Sequence, residues 1–180
     1  RSFENLDKEG LLSFEPWKCF GKNTKCELDD KIIYAPSYSI HILNNSEGYG
    51  GIRQGKIKLY DSEIYNGHIW AYSKDNITLY IKIKCDREII FTDSIISGKW
   101  QKINFSFCNG SSDLDAEISF YIEGKNEVWL DQSSLIPNNT IAGTWNTVAK
   151  KIKDLKPGTM RFPGGCVADC YFWEDGVGLV

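Results

Sequence analysis

Apolar and polar residues alternate in short runs from roughly residue 30 to residue 136. Ile77, Leu79, Ile81 and Ile83 fall on one side of a period-two pattern, and Thr78, Tyr80, Lys82 and Lys84 on the other. That spacing predicts a half-buried strand over 77–84. The same reading predicts strands over Lys31–Tyr34, Tyr38–Leu43, His68–Tyr72, Glu88–Phe91, Trp100–Phe107, Ile118–Ile122 and Val128–Leu130. Over Gly51–Tyr60 the phase slips near Gly55, the mark of a bulge or a turn. Turn signals lie between the runs at Tyr65-Asn66-Gly67, Ser97-Gly98-Lys99, Asn109-Gly110-Ser111 and Glu123-Gly124-Lys125-Asn126. Many short strands at regular spacing predict a mainly β fold, an antiparallel jelly-roll β-sandwich over residues 1–137.

After Pro137-Asn138-Asn139 the period changes. Val148, Ile152 and Leu155 recur at helical spacing, with Thr144 or Asn146 as the cap and Pro157-Gly158 as the stop. Thr159–Phe162 then reads as a brief strand running into Pro163-Gly164-Gly165. Helix, tight turn, short strand and glycine-rich loop follow the order of an α/β layer. Residues 138–180 therefore read as a helix-strand fragment of a (β/α) barrel. A complete barrel takes about 250 residues, so this segment is expected to belong to a larger body.

Hydrophobic residues make up 42% and charged residues 25% of the 180, which fits a globular protein with a sizeable core. The net charge is −3 and the lysines are scattered among acids, which argues against a nucleic-acid partner. No apolar run approaches the ~20 residues that cross a bilayer, so no membrane partner is expected. Arg1-Ser2-Phe3-Glu4-Asn5 has no signal-peptide pattern and no initiator Met. The expectation is that the natural start has been removed, which leaves the location open, with extracellular favoured over cytoplasmic. The six cysteines are Cys19, Cys26, Cys85, Cys108, Cys166 and Cys170; none shows CxxC spacing and only two His accompany them, so zinc is not expected. Six free thiols are expected, several of them buried. A Cys19–Cys26 bridge across a turn is the alternative.

Four stretches carry a resemblance: Arg1-Ser2-Phe3-Glu4, Gly48–Ile52, Val128–Pro137 and Leu155–Cys166. Together they resemble glycoside hydrolase family 51, the α-L-arabinofuranosidases, in the branch with a jelly-roll carbohydrate-binding-type module near the amino end. The resemblance covers essentially the whole chain. Its most specific part is Arg161-Phe162-Pro163-Gly164-Gly165-Cys166, followed by Tyr171, Trp173 and Asp175-Gly176. In such enzymes the module is inserted after the first barrel strand. The resemblance implies that Thr144 to Phe162 supply the helix and second strand, with the first strand before Arg1 and the others after Val180. It implies two partners, the remainder of the catalytic barrel and a plant cell-wall polysaccharide, arabinoxylan or arabinan. The complete enzyme would release terminal α-L-arabinofuranosyl groups with retention. Retaining hydrolysis uses two carboxylates about 5 Å apart. The family places its glutamates on later barrel strands, so no catalytic residue is assigned and the chain alone is expected to be inactive.

The resemblance also implies a place for some residues. Cys166 and Trp173 match positions that border the arabinose pocket, and Gly165, with Gly164, lets backbone approach a ligand. An indole face suits the apolar face of a sugar ring. In the sandwich, His68, Trp70 and Tyr72 share one strand face by spacing, with Tyr80 and Tyr121 on neighbouring strands. This cluster is the candidate glycan-contacting face; the core or a domain interface is the competing place for it. Trp100 and Trp129 are expected to fill the core. Related sandwiches hold a structural calcium through acids on the first and last strands, which Glu4 and Asp131 match; no other cofactor is expected. The alternative function is a structural brace for the barrel that touches no sugar.

Overall fold

The computed structural model describes residues 5–6, 12–35, 37–141 and 144–159. Its contacts divide the chain into two units, residues 1–139 and 140–180. The strands of the first unit are β1 (Asn5–Leu6), β2 (Leu12–Ser13), β3 (Lys18–Phe20), β4 (Thr24–Asp29), β5 (Ser39–Asn44), β6 (Tyr49–Leu59), β7 (Ile64–Tyr72), β8 (Ile77–Lys84), β9 (Glu88–Ile95), β10 (Gln101–Cys108), β11 (Asp113–Glu123) and β12 (Asn126–Pro137). The first five-stranded sheet has the order β10-β7-β12-β5-β4, and the second has the order β3-β6-β11-β8-β9. Neighbouring strands in both are antiparallel. From β5 onward the chain crosses between the sheets at every connection except β8–β9, giving the jelly-roll sandwich that the alternation predicted. β1 and β2 pair separately.

The inward residues of both sheets form one core. Ile40, Ile42, Ile69 and Leu130 of the first sheet cluster with Ile52, Leu79, Ile81, Phe120 and Ile122 of the second, and none is more than 1% exposed. At about 1.5–3 kcal/mol for each large apolar side chain removed from water, this layer holds the sheets together. β8 follows its predicted alternation, with Ile77, Leu79, Ile81 and Ile83 buried. The phase slip near Gly55 is a bulge. Ala116 pairs with Ile57 but Ile118 pairs with Gln54, so β6 carries one extra residue, and Lys56 adopts φ 60° there.

Two local expectations fail for physical reasons. Lys31–Tyr34 forms no strand, because carboxylates take its amides. Asp29 Oδ1 accepts from the Lys31 and Ile32 N–H groups, and Asp131 Oδ2 accepts from those of Tyr34 and Ala35. Tyr65-Asn66-Gly67 is not a turn but part of β7. Gly67 lies opposite Phe105, whose ring fills the space a Cβ would need, 2.2 Å away. β3 and β4 were not predicted, since neither run alternates clearly.

In the second unit β13 (Thr140–Ile141) pairs with β14 (Thr144–Trp145), and α1 (Asn146–Leu155) follows. The cap position is Trp145, without a side-chain cap bond, rather than Thr144 or Asn146. Thr144 is held in the pair with Ile141. Lys156 closes α1 in the left-handed conformation, its N–H bonded to Lys153 O, and Pro157 prevents continuation. The strand expected over Thr159–Phe162 lies outside the described residues from Met160 on.

Candidate functional site

Register builds the outward face of the second sheet in rows that cross the strands. Tyr121 of β11 lies opposite Gly51 of β6 and Tyr80 of β8, and Phe20 of β3 lies opposite Gly51. This is an aromatic row with a gap at the glycine. A Cβ on Gly51 would stand 2.1 Å from Phe120 O and 2.6 Å from Tyr121 Cα, so only glycine fits. The Tyr80 and Tyr121 rings stack with centroids 5.1 Å apart and planes 8° apart. Tyr49 stands edge-on to both, at 6.0 and 5.3 Å, and is 52% exposed. Phe20 meets Tyr121 at 6.2 Å. Burial holds the phenols of Tyr80 and Tyr121 above their ordinary value, and for Tyr80 the bond to Glu123 adds to it. Both stay protonated at neutral pH; Tyr80 donates its proton to Glu123 Oε2 at 3.3 Å, and Tyr121 can donate to a ligand oxygen.

The next row is basic. Ser119 of β11 lies opposite Arg53 of β6 and Lys82 of β8. Beyond it Glu117 and Glu88 flank Lys84. Lys82 Nζ is 2.7 Å from Glu88 Oε1, and Arg53 Nη1 is 3.8 Å from Glu117 Oε2. These rows line a groove of 470 Å³. A second hollow continues past Tyr80 toward Thr78, Ser94 and Glu123.

The outward face of the first sheet is differently finished. His68, Trp70 and Tyr72 do share one face of β7, each partly buried. Tyr80 and Tyr121 do not join them, because β8 and β11 belong to the second sheet. The predicted cluster is therefore two faces, on opposite sides of the sandwich. Tyr34 covers Trp70, ring on ring at 3.8 Å. Trp100 is not in the core but packs at 5.9 Å from Tyr34 and 5.6 Å from Tyr72. Trp129 is 2% exposed yet lies outside the core cluster, stacked on His41 at 4.2 Å and donating Nε1–H to Asp29 Oδ2. Burial would raise Asp29, but the bonds from Trp129 and the Lys31 and Ile32 amides outweigh it and hold the carboxyl below its ordinary value. Glu127 behaves alike: the bonds from Lys74 and His41 overcome its burial.

Asp131 is fully buried and accepts N–H bonds from Tyr34, Ala35 and Gln132. Among the described residues no group of three or more His, Cys, Asp or Glu is arranged to hold a metal ion. Cys19 and Cys26 form a disulfide, which corrects the expectation of six free thiols. Cys85 and Cys108 are free. Glu4, Gly165, Cys166, Cys170 and Trp173 lie outside the described residues. Phe20, Tyr49, Arg53, Lys82 and Ser119 were not singled out from sequence; for Lys82, the outward phase it shares with Tyr80 was the available signal.

A family model described as a carbohydrate binding domain matches residues 1–134. Alpha-L-arabinofuranosidase 1 of Arabidopsis thaliana is 26% identical over 159 residues, which cover 79% of this chain and 22% of that protein. The extracellular exo-alpha-L-arabinofuranosidase of Streptomyces chartreusis is 29% identical over 135 residues, 71% of this chain and 16% of the relative. A shorter match of 45% over 51 residues, 28% of this chain and 10% of the relative, is to the intracellular exo-alpha-L-arabinofuranosidase of Bacteroides ovatus. The chain thus spans 10% to 22% of the length of these curated relatives. Among solved structures, the CBM22-1 xylan-binding domain of Paenibacillus barcinonensis Xyn10C superposes with a TM-score of 0.61 at 12% identity, over 78% of this chain and 93% of that one. The CBM22-1–GH10 modules of Clostridium thermocellum Xyn10B, complexed with xylohexaose, give 0.58 at 13% identity, over 66% of this chain and 25% of that one. At these identities the likeness is one of fold.

Proposed function

Because the chain belongs to the carbohydrate-binding domain family, we propose that its sandwich holds a polysaccharide across the outward face of the second sheet. The observation that carries this reading is the Tyr80–Tyr121 stack with the half-exposed Tyr49 beside it. Aromatic rings next to hydrogen-bonding side chains suit a sugar, whose rings have apolar faces and polar rims. The curated relatives support reading the chain as the binding module and adjoining segment of an α-L-arabinofuranosidase. The complete enzyme would remove terminal arabinofuranosyl groups from arabinoxylan or arabinan, and the module would keep it on the polymer. The Cys19–Cys26 bridge supports an oxidising, extracellular setting.

Calorimetric titration with arabinoxylan oligosaccharides and xylohexaose tests the reading. Binding is expected, about tenfold weaker in Tyr80→Ala and retained in a folded Trp70→Ala. The reverse pattern would move the site to the first sheet. No binding by the unmutated chain would reject the reading and leave the sandwich as a brace.

A further inference from the structure

Resting on the reading that the second sheet's outward face holds a glycan, we propose that Arg53, Ser119 and Lys82 form a subsite for a carboxylate carried by that glycan. The preferred ligand class is then a polysaccharide bearing hexuronate residues. The three residues stand in one cross-strand row with Ser119 in the middle. Strands lie ~4.8 Å apart, so the two cationic stems rise about 10 Å from each other on either side of a small side chain. Between them is a slot with a hydroxyl at its floor.

Ser119 gives the slot between the two cations a small polar floor. It is 5% exposed and lines the groove. Its hydroxyl can donate to an oxygen of a bound carboxylate.

The surrounding charges favour an anion on one side of the row. Three cations (Arg53, Lys82, Lys84) and two carboxylates (Glu88, Glu117) line the groove, which leaves one positive charge in excess. Both acids lie in the row with Lys84, on the side away from the tyrosines. Arg53 is half exposed and touches Glu117 only at 3.8 Å, so most of its five donors remain for a ligand. A guanidinium matches a carboxylate in bidentate geometry. The basic row is two residues along the strands from the aromatic row, ~7 Å. A sugar seated on Tyr80 and the half-exposed Tyr49 can therefore present a ring or branch carboxylate over Arg53 and Lys82.

Titration of the full chain with xylohexaose, with a glucuronic-acid-substituted xylo-oligosaccharide and with an oligogalacturonide tests this. At low ionic strength one acidic ligand is expected to bind about tenfold more tightly than xylohexaose, ~1.4 kcal/mol. Which of the two it is identifies the source of the carboxylate. The advantage should shrink as salt rises, fall in Ser119→Ala, and vanish in the double variant Arg53→Gln, Lys82→Gln. Equal affinity for neutral and acidic ligands overturns the subsite and leaves the glycan reading intact. Failure of all three ligands to bind overturns both. A preference unchanged in the folded double variant overturns the residue assignment. The ligand comparison on the unmutated protein decides the matter even where a variant does not fold.

Discussion

Tyr80 and Tyr121 stack because β8 and β11 pair them directly opposite one another on the outward face of the second sheet. The pair is supported unevenly. Tyr121 is 9% exposed and touches Phe20 and Tyr49 as well, while Tyr80 is the more open ring and ties its hydroxyl to Glu123 at 3.3 Å.

That asymmetry separates stability from binding. Tyr121→Ala is expected to cost about 2–3 kcal/mol in chemical denaturation, since it removes the buried ring that Phe20, Tyr49 and Tyr80 all pack against. Tyr80→Ala is expected to shift the denaturation midpoint much less, yet to weaken xylohexaose binding about tenfold. Equal loss of stability in the two variants would contradict this division.

How much of this was legible depends on whether the information was local. β8 could be read residue by residue, because its inward and outward sets are chemically distinct. Spacing also showed that His68, Trp70 and Tyr72 share a face. It could not show that Tyr121 lies on the far side of the sandwich, because periodicity says nothing about which sheet a strand joins. Trp129 is buried as expected, but apart from the cluster between the sheets, and spacing could not tell the two apart. It lies between Val128 and Leu130, all three are buried, and so burial on both faces of β12 erased the alternation. Lys31–Tyr34 has strand-like composition, but part of what decides its backbone is Asp131, 97 residues away from Tyr34.

Cys19 lies on β3, at the edge of the second sheet, and Cys26 on β4, at the edge of the first. Their bridge therefore joins the two sheets at one edge. The double variant Cys19→Ser, Cys26→Ser is expected to lose about 2–3 kcal/mol, the loop-closure contribution for so short a loop. It should also weaken glycan binding, because β3 carries Phe20. Alkylation followed by mass measurement checks the pairing: before reduction Cys19 and Cys26 should resist the reagent and the exposed Cys108 should react.

His68 sets a pH dependence. Burial first, and then the charge of Lys102 diagonally across β10, hold its imidazole below the ordinary 6.5. The unfolded chain therefore takes up a proton more readily than the folded one. The contribution is complete above about pH 6.5 and is lost as pH falls from there through the folded value. Asp29 and Glu127, also held low, lose theirs only at more acidic pH, through the carboxylate range. Urea midpoints should fall from about pH 7.5 to about pH 5.5, and a folded His68→Gln should show a flatter profile over that span. An identical slope in both would remove His68 as the cause.

Asp131 governs the other face of the sandwich. It lies opposite Trp70 in the β12–β7 register and is fully buried, and it accepts amide bonds from Tyr34, Ala35 and Gln132 at 3.2, 3.0 and 2.7 Å. Holding those amides sets Tyr34 flat over Trp70, 3.8 Å between centroids. Asp131→Ala leaves three donors without their acceptor and is expected to cost about 2–4 kcal/mol. The loss should be local in its first effects. Exchange of the Tyr34 and Ala35 amides should quicken and tryptophan emission should shift to the red as Trp70 is uncovered, while xylohexaose binding persists below the melting temperature because the tyrosine face is on the other sheet. Loss of glycan binding in a folded Asp131→Ala, with the tyrosines unchanged, would show that the segment over Trp70 takes part in recognition after all.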